Sequence, residues 1–148
     1  SGVVPHSFTG LRGIIGMPWL HANWDHLLDN TIALLGLGVI VILAEGRRFG
    51  TTTLILALIS GIGTWLIADL GQAKSVHIGA SGLVYSYFGY ILARAIWGRR
   101  VVWAVVGIVV AVVYGGMIGG VFPEGDHISW EAHLAGLLGG IWLGQRHA

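Results

Sequence analysis

From Val101 to Phe122 the chain runs for 22 positions without one charged side chain. About 20 apolar residues carry a helix across the hydrocarbon of a bilayer, whereas a soluble helix of that length keeps a polar face. Four other runs read the same way: residues 24–44, 51–70, 78–97 and the shorter 128–144. Between them lie Glu45-Gly46-Arg47-Arg48, Gly98-Arg99-Arg100 and the turn-rich Pro123–His127, and Gln145-Arg146-His147 closes the last. Charged residues are 10% of the chain, against about 25% in soluble domains. Hydrophobic residues are 55%, and mean hydropathy is +0.78. The pattern predicts an all-α integral membrane protein, a polytopic helical bundle of five spans in one domain over residues 1–148. Residues 1–20 lack a run long enough to span and read as an outer interfacial loop.

Charge orients the bundle. If the spans alternate, Arg47, Arg48, Arg94, Arg99, Arg100 and Arg146 share one side, with Arg12 and Lys74 on the other. The Arg-rich side is then cytoplasmic. A net charge of +1 gives no electrostatic basis for nucleic acid, and the absence of cysteine excludes disulfide and thiolate chemistry. The Ser1-Gly2 opening, without initiator Met or signal pattern, reads as a piece trimmed from a longer chain.

Inside lipid a polar side chain must be paired or wetted, so its position carries information. His21, His26 and Asn30 fall at the outer end of the first span, Ser81 near that of the third and His133 near that of the fifth. His26 and Asn30, four apart, share a helix face. Ser81, Tyr85, Gly89 and Ala93 form one stripe at helical spacing, and Ala132, Gly136, Gly140 and Gly144 a small-residue ridge beside His133. Such ridges let helices approach closely, and these two would bring Ser81 to His133. A serine hydroxyl becomes a nucleophile when a histidine takes its proton. Gly79 and Gly82 would let a substrate carbonyl near the backbone, with His26 and Asn30 as further donors to an oxyanion. The pocket would open outward between residues 71–77 and 122–130, with Pro123–Asp126 as a movable lid.

Each residue also has a plainer reading: Gly-Ala-Ser-Gly as a packing device, Asn30 as interhelical glue, Tyr85 as packing, His133 as a satisfied core histidine. Convergence at one depth is what those readings explain badly. A zinc site fits poorly: His21 and His26, five apart, lie on different faces, no His-Glu-x-x-His occurs, and His127 and His133 have no diagnostic spacing. No metal or cofactor is expected. A transporter would prefer broken helices and a midplane site, whereas here the polar cluster lies near one surface and the midplane is dry.

Three motifs resemble the rhomboid intramembrane serine proteases. "HANWDHLLDN" has the His-x4-His-x3-Asn spacing at His21, His26 and Asn30. "GASGLVY" has Gly-x-Ser-Gly with Tyr85 four residues on, and "AHLAGLLGG" has Ala-His-x-x-Gly-x-x-x-Gly through His133, Gly136 and Gly140. The resemblance implies a rhomboid-type bundle, five spans of a usual six-helix core, with Ser81 as nucleophile and His133 as base in a dyad. It implies an oxyanion hole of His26, Asn30 and the Ser81 N–H, Tyr85 packed on the His133 ring, and a structural His21. The implied substrates are transmembrane segments of other membrane proteins, cut near their outer ends from within a bacterial plasma membrane. A Trp-Arg pair common before the first span in relatives is matched only by Leu11-Arg12. The rival functions are a non-proteolytic rhomboid-like protein that escorts membrane clients, and a transporter or channel.

Overall fold

The computed structural model describes residues 2–69, 76–123 and 129–148. Six α-helices order them: α1 Phe8–Gly16, α2 Trp24–Glu45, α3 Phe49–Ile67, α4 Ser81–Trp97, α5 Val101–Tyr114 and α6 Trp130–Arg146. Among the described residues the only β pairing is a single antiparallel bridge between Val3 and His77. The protein is an all-α membrane protein.

Three local results depart from the apolar pattern. Within residues 1–20, expected as a loop, lies α1, capped by the Ser7 hydroxyl accepting from the Gly10 N–H at 3.0 Å. Amphipathic periodicity over nine residues was too short to register against spans of 20. The run 78–97 becomes helical only at Ser81, because Gly79 has φ +113°, which no helix contains. The run 101–122 is α-helical only to Tyr114. Gly115–Val121 continue as a 3-10 helix, where four glycines in six residues weaken the α register.

Helix α4 is the axis. All ten residues from Gly82 to Ile91 are buried, so it is enclosed on every side. Its most extensive contact is with α6; α5, α2 and α3 complete the ring, and α1 lies on α3. The outer helices expose what α4 hides. On α2, Leu28, Ile32, Leu35, Val39 and Leu43 face outward, and α5 presents Val101, Val105, Ile108 and Val112. Water would not tolerate two such continuous faces; lipid does. Two stretches, Trp24–Ile67 and Val101–Val121, meet the length and hydropathy needed to cross a bilayer.

The α4–α6 crossing is built from small residues; Gly89 and Ala93 of the expected stripe take part in it, whereas at its outer half Gly82 and Ser86 stand where Ser81 and Tyr85 were expected. A Cβ on Gly136 would strike the Gly82 carbonyl, one on Gly140 the Ser86 carbonyl, and one on Gly144 would lie 2.9 Å from the Ala93 Cβ. The contact stripe on α4 is therefore Gly82, Ser86, Tyr90 and Ala93, with Gly89 against the Leu137 carbonyl. Ser81 and Tyr85 lie beside that crossing and turn toward His133, with Tyr85 buried there.

Candidate active site

Ser81 is the first residue of α4, half-buried, so its N–H belongs to the helix-terminal set with no intrahelical acceptor. The positive end of the α4 dipole lies there too. His133, buried in the first turn of α6, holds Nε2 2.9 Å from the Ser81 Oγ. On its other edge Nδ1 lies 2.7 Å from the Gly120 carbonyl. A carbonyl only accepts, so Nδ1 carries the proton and Nε2 presents its lone pair to the serine hydroxyl. The Tyr85 ring stacks on His133 with centroids 4.1 Å apart and planes 11° from parallel. Tyr85 is held in turn by donating its hydroxyl to the Met117 carbonyl at 2.6 Å.

Opposite stands α2. The Asn23 side chain caps it, accepting from the His26 N–H at 2.8 Å, and this sets His26 and Asn30 one turn apart. Gly79 passes beneath both. A Cβ there would lie 2.9 Å from the His26 ring and 3.5 Å from the Asn30 Nδ2. Positive φ and this close approach both demand glycine. The Asn30 Nδ2 is buried without a hydrogen-bond partner, a condition that costs about 1–3 kcal/mol. An unused donor beside Gly79, two residues before Ser81, leaves room for an acceptor from outside the chain.

His21 precedes α2 and meets the His26 ring edge-on at 5.3 Å. Burial, and then the neighbouring His26, hold its pKa below the ordinary histidine value, with the Trp19 carbonyl pulling the other way. Among the described residues no group of three or more His, Asp or Glu side chains is gathered to hold a metal ion. Of the residues expected at the lid, 124–126 lie outside those described, as do Lys74 and His127.

Sequence reasoning missed Gly120 and Met117, whose carbonyls orient His133 and its stacking partner Tyr85. Backbone acceptors leave no side-chain signature. The one available signal was the Gly-Gly-Met-Ile-Gly-Gly run, unsuited to a regular span. Gly120 has no room for a Cβ, which would strike the Tyr85 hydroxyl and sit 3.2 Å from the His133 Nδ1.

Residues 9–146 match the Rhomboid domain family over nearly the whole chain. The chain belongs to the rhomboid family. Its relatives include an uncharacterized protein of Mycobacterium tuberculosis, 40% identical over 146 residues, covering 95% of this chain and 61% of the relative. An uncharacterized Mycobacterium leprae protein is 39% identical, covering 88% of this chain and 54% of its own length. RHOMBOID-like protein 4 of Arabidopsis thaliana is 31% identical, over 88% of this chain and 32% of that protein. This chain thus spans about three fifths of the first of these mycobacterial relatives. The rhomboid family includes proteases and inactive rhomboid-like proteins.

Proposed function

We propose that this rhomboid is an intramembrane serine endopeptidase acting on transmembrane segments of other membrane proteins. The observation that carries the reading is the 2.9 Å Ser81–His133 contact with the far nitrogen of the ring committed to Gly120. The Ser81 Oγ attacks the scissile carbonyl carbon as its proton passes to the His133 Nε2. The carbonyl oxygen becomes an oxyanion that accepts from the Ser81 N–H, the Asn30 Nδ2 and the His26 ring. Collapse breaks the C–N bond, and the His133 proton leaves with the amine. Water then attacks the ester, giving one proton to His133, and the second collapse returns a proton to the Ser81 Oγ. The Gly120 carbonyl takes the orienting place that a carboxylate holds in three-membered arrangements, without adding a charge inside the membrane.

A fluorophosphonate probe tests this directly. It should modify Ser81 in the wild type and leave Ser81→Ala and His133→Ala unlabelled, with cleavage of a transmembrane substrate lost in both and thermal stability nearly unchanged. Wild-type cleavage by either variant would overturn the dyad. An unlabelled wild type with client binding unchanged by Ser81→Ala would point to the escort function.

A further inference from the structure

The dyad joins two helices at their outer ends, and the close glycine crossing of α4 and α6, Gly82 on Gly136 and Ser86 on Gly140, runs inward below it. Above it lies a second set of polar contacts that the proposed chemistry does not use. His77, buried four residues before Ser81, places Nδ1 2.6 Å from the Ser129 Oγ. Its Nε2 lies 3.6 Å from an Asp69 carboxylate oxygen. Each partner stands at a place that matters. Ser129 is the N-cap residue of α6, and its carbonyl accepts from the Ala132 and His133 N–H groups at 3.1 and 3.2 Å. Asp69 lies just beyond the end of α3. The His77 backbone is itself pinned, exchanging hydrogen bonds of 2.8 and 2.9 Å with Val3.

We infer that Asp69, His77 and Ser129 form a positioning relay that ties the segment carrying the nucleophile to the cap of the helix carrying the base. This rests on the dyad reading above. An Asp69 carboxylate toward Nε2 favours a proton on that nitrogen, which leaves Nδ1 to accept the Ser129 hydroxyl. The ring is a strut of fixed length, anchored at one end by the Val3 pairing and at the other by the α6 cap. The register of His133 relative to Ser81 is therefore set from both sides: the glycine crossing below and this strut above. Misplacement of reacting groups by about 1 Å costs about 100-fold in rate, so a strut that holds a 2.9 Å contact bears on turnover although it touches neither reacting atom. His77 and Ser129 are positioning residues.

The test uses the full-length protein in lipid. His77→Phe keeps the ring and removes both nitrogens; Ser129→Ala removes the hydroxyl; Ser129→Thr keeps it. Fluorophosphonate modification of Ser81 should slow about tenfold in His77→Phe and in Ser129→Ala, and stay within about twofold of wild type in Ser129→Thr. The doubly substituted His77→Phe, Ser129→Ala protein should be no slower than the slower single variant, because both remove the same strut. Substrate turnover should fall in kcat with KM little changed. A second readout needs no activity: the imidazole nitrogen NMR shifts of His133, which report its contact with Ser81, should move in Ser129→Ala and not in Ser129→Thr. Wild-type labelling rates and unmoved His133 shifts in both His77→Phe and Ser129→Ala would overturn the relay. A wild type that does not label at all sinks the protease reading, and the His133 shifts then still decide the relay.

Discussion

Asn30 shows how much a single side chain can reveal. Its amide nitrogen is buried and unpartnered, while His26 one turn earlier is half-exposed. An oxyanion hole with several donors tolerates the loss of one. Asn30→Ala should lower kcat by tens-fold or less, and His26→Ala, which also removes the ring standing over Gly79, should cost more. Steady-state cleavage of one transmembrane substrate by both variants checks the order; equal and total loss in folded protein would assign both residues to structure. His21 makes a different statement. Its pKa is depressed in the folded protein, chiefly by burial and next by His26. The folded state therefore holds fewer protons than the unfolded state between the depressed value and about 6.5. The stability His21 contributes is present above about pH 6.5 and is lost as pH falls through its folded pKa. The melting temperature should drop on acidification from pH 7.5 to 5.5, and His21→Gln should flatten part of that drop.

Among the elements, the 3-10 segment Gly115–Val121 does more than end a span. An α-helical turn commits each interior carbonyl to the N–H four residues on, whereas here the Met117 and Gly120 carbonyls receive Tyr85 and His133. The break in α5 is what supplies the orienting acceptors. Gly120→Ala should cut fluorophosphonate labelling of Ser81 by at least tenfold, because its Cβ collides with the Tyr85 hydroxyl and crowds the His133 Nδ1. Gly119→Ala, with nothing near its Cβ, should label at close to the wild-type rate. Equal labelling of the two variants would show that the segment, not the Gly120 contact, is what matters.

Across the whole molecule, the two ends of the bundle are built on different physics. At the far end Glu45, whose side chain is only 3% exposed, accepts from Tyr90 and from Thr52 at 2.9 Å and pairs with Arg94 at 3.3 Å and His147 at 3.2 Å. Those four partners sit on α3, on α4 and just past the end of α6, so one carboxylate at the end of α2 ties the others together. Removing one member of a buried pair strands the rest, and Glu45→Ala should lower unfolding free energy by about 3–5 kcal/mol in mixed micelles. Arg94, which pairs with Glu45, lies about 20 Å from Ser81 by the helical rise of α4, so labelling of the folded fraction should not change. The orientation proposed from the arginines has its own test. A membrane-impermeant thiol reagent added outside should modify the Ser81→Cys variant of this cysteine-free chain. Modification only from the Arg-rich side would reverse the topology and undercut the protease reading.

Apolar runs of span length, separated by short charged or turn-rich breaks, determined by themselves that the chain is a helical membrane bundle, because lipid admits little else. The spacing of His26 to Asn30, and the glycines at intervals of four beside His133, could be read because helical periodicity turns sequence distance into a shared face. Tertiary structure decided the rest. The register of α4 against α6 depends on which backbone atoms collide at Gly82 and Gly136, and sequence spacing placed the outer half of the stripe one residue off while its Gly89 and Ala93 hold. The proton on the His133 Nδ1 depends on a carbonyl from a third helix, contributed by a glycine with no side chain to announce it. The contact between His77 and Ser129 joins residues 52 positions apart, with no local pattern linking them. Periodicity reports what one helix does to itself; the approach of backbones from different helices is written only in their packing.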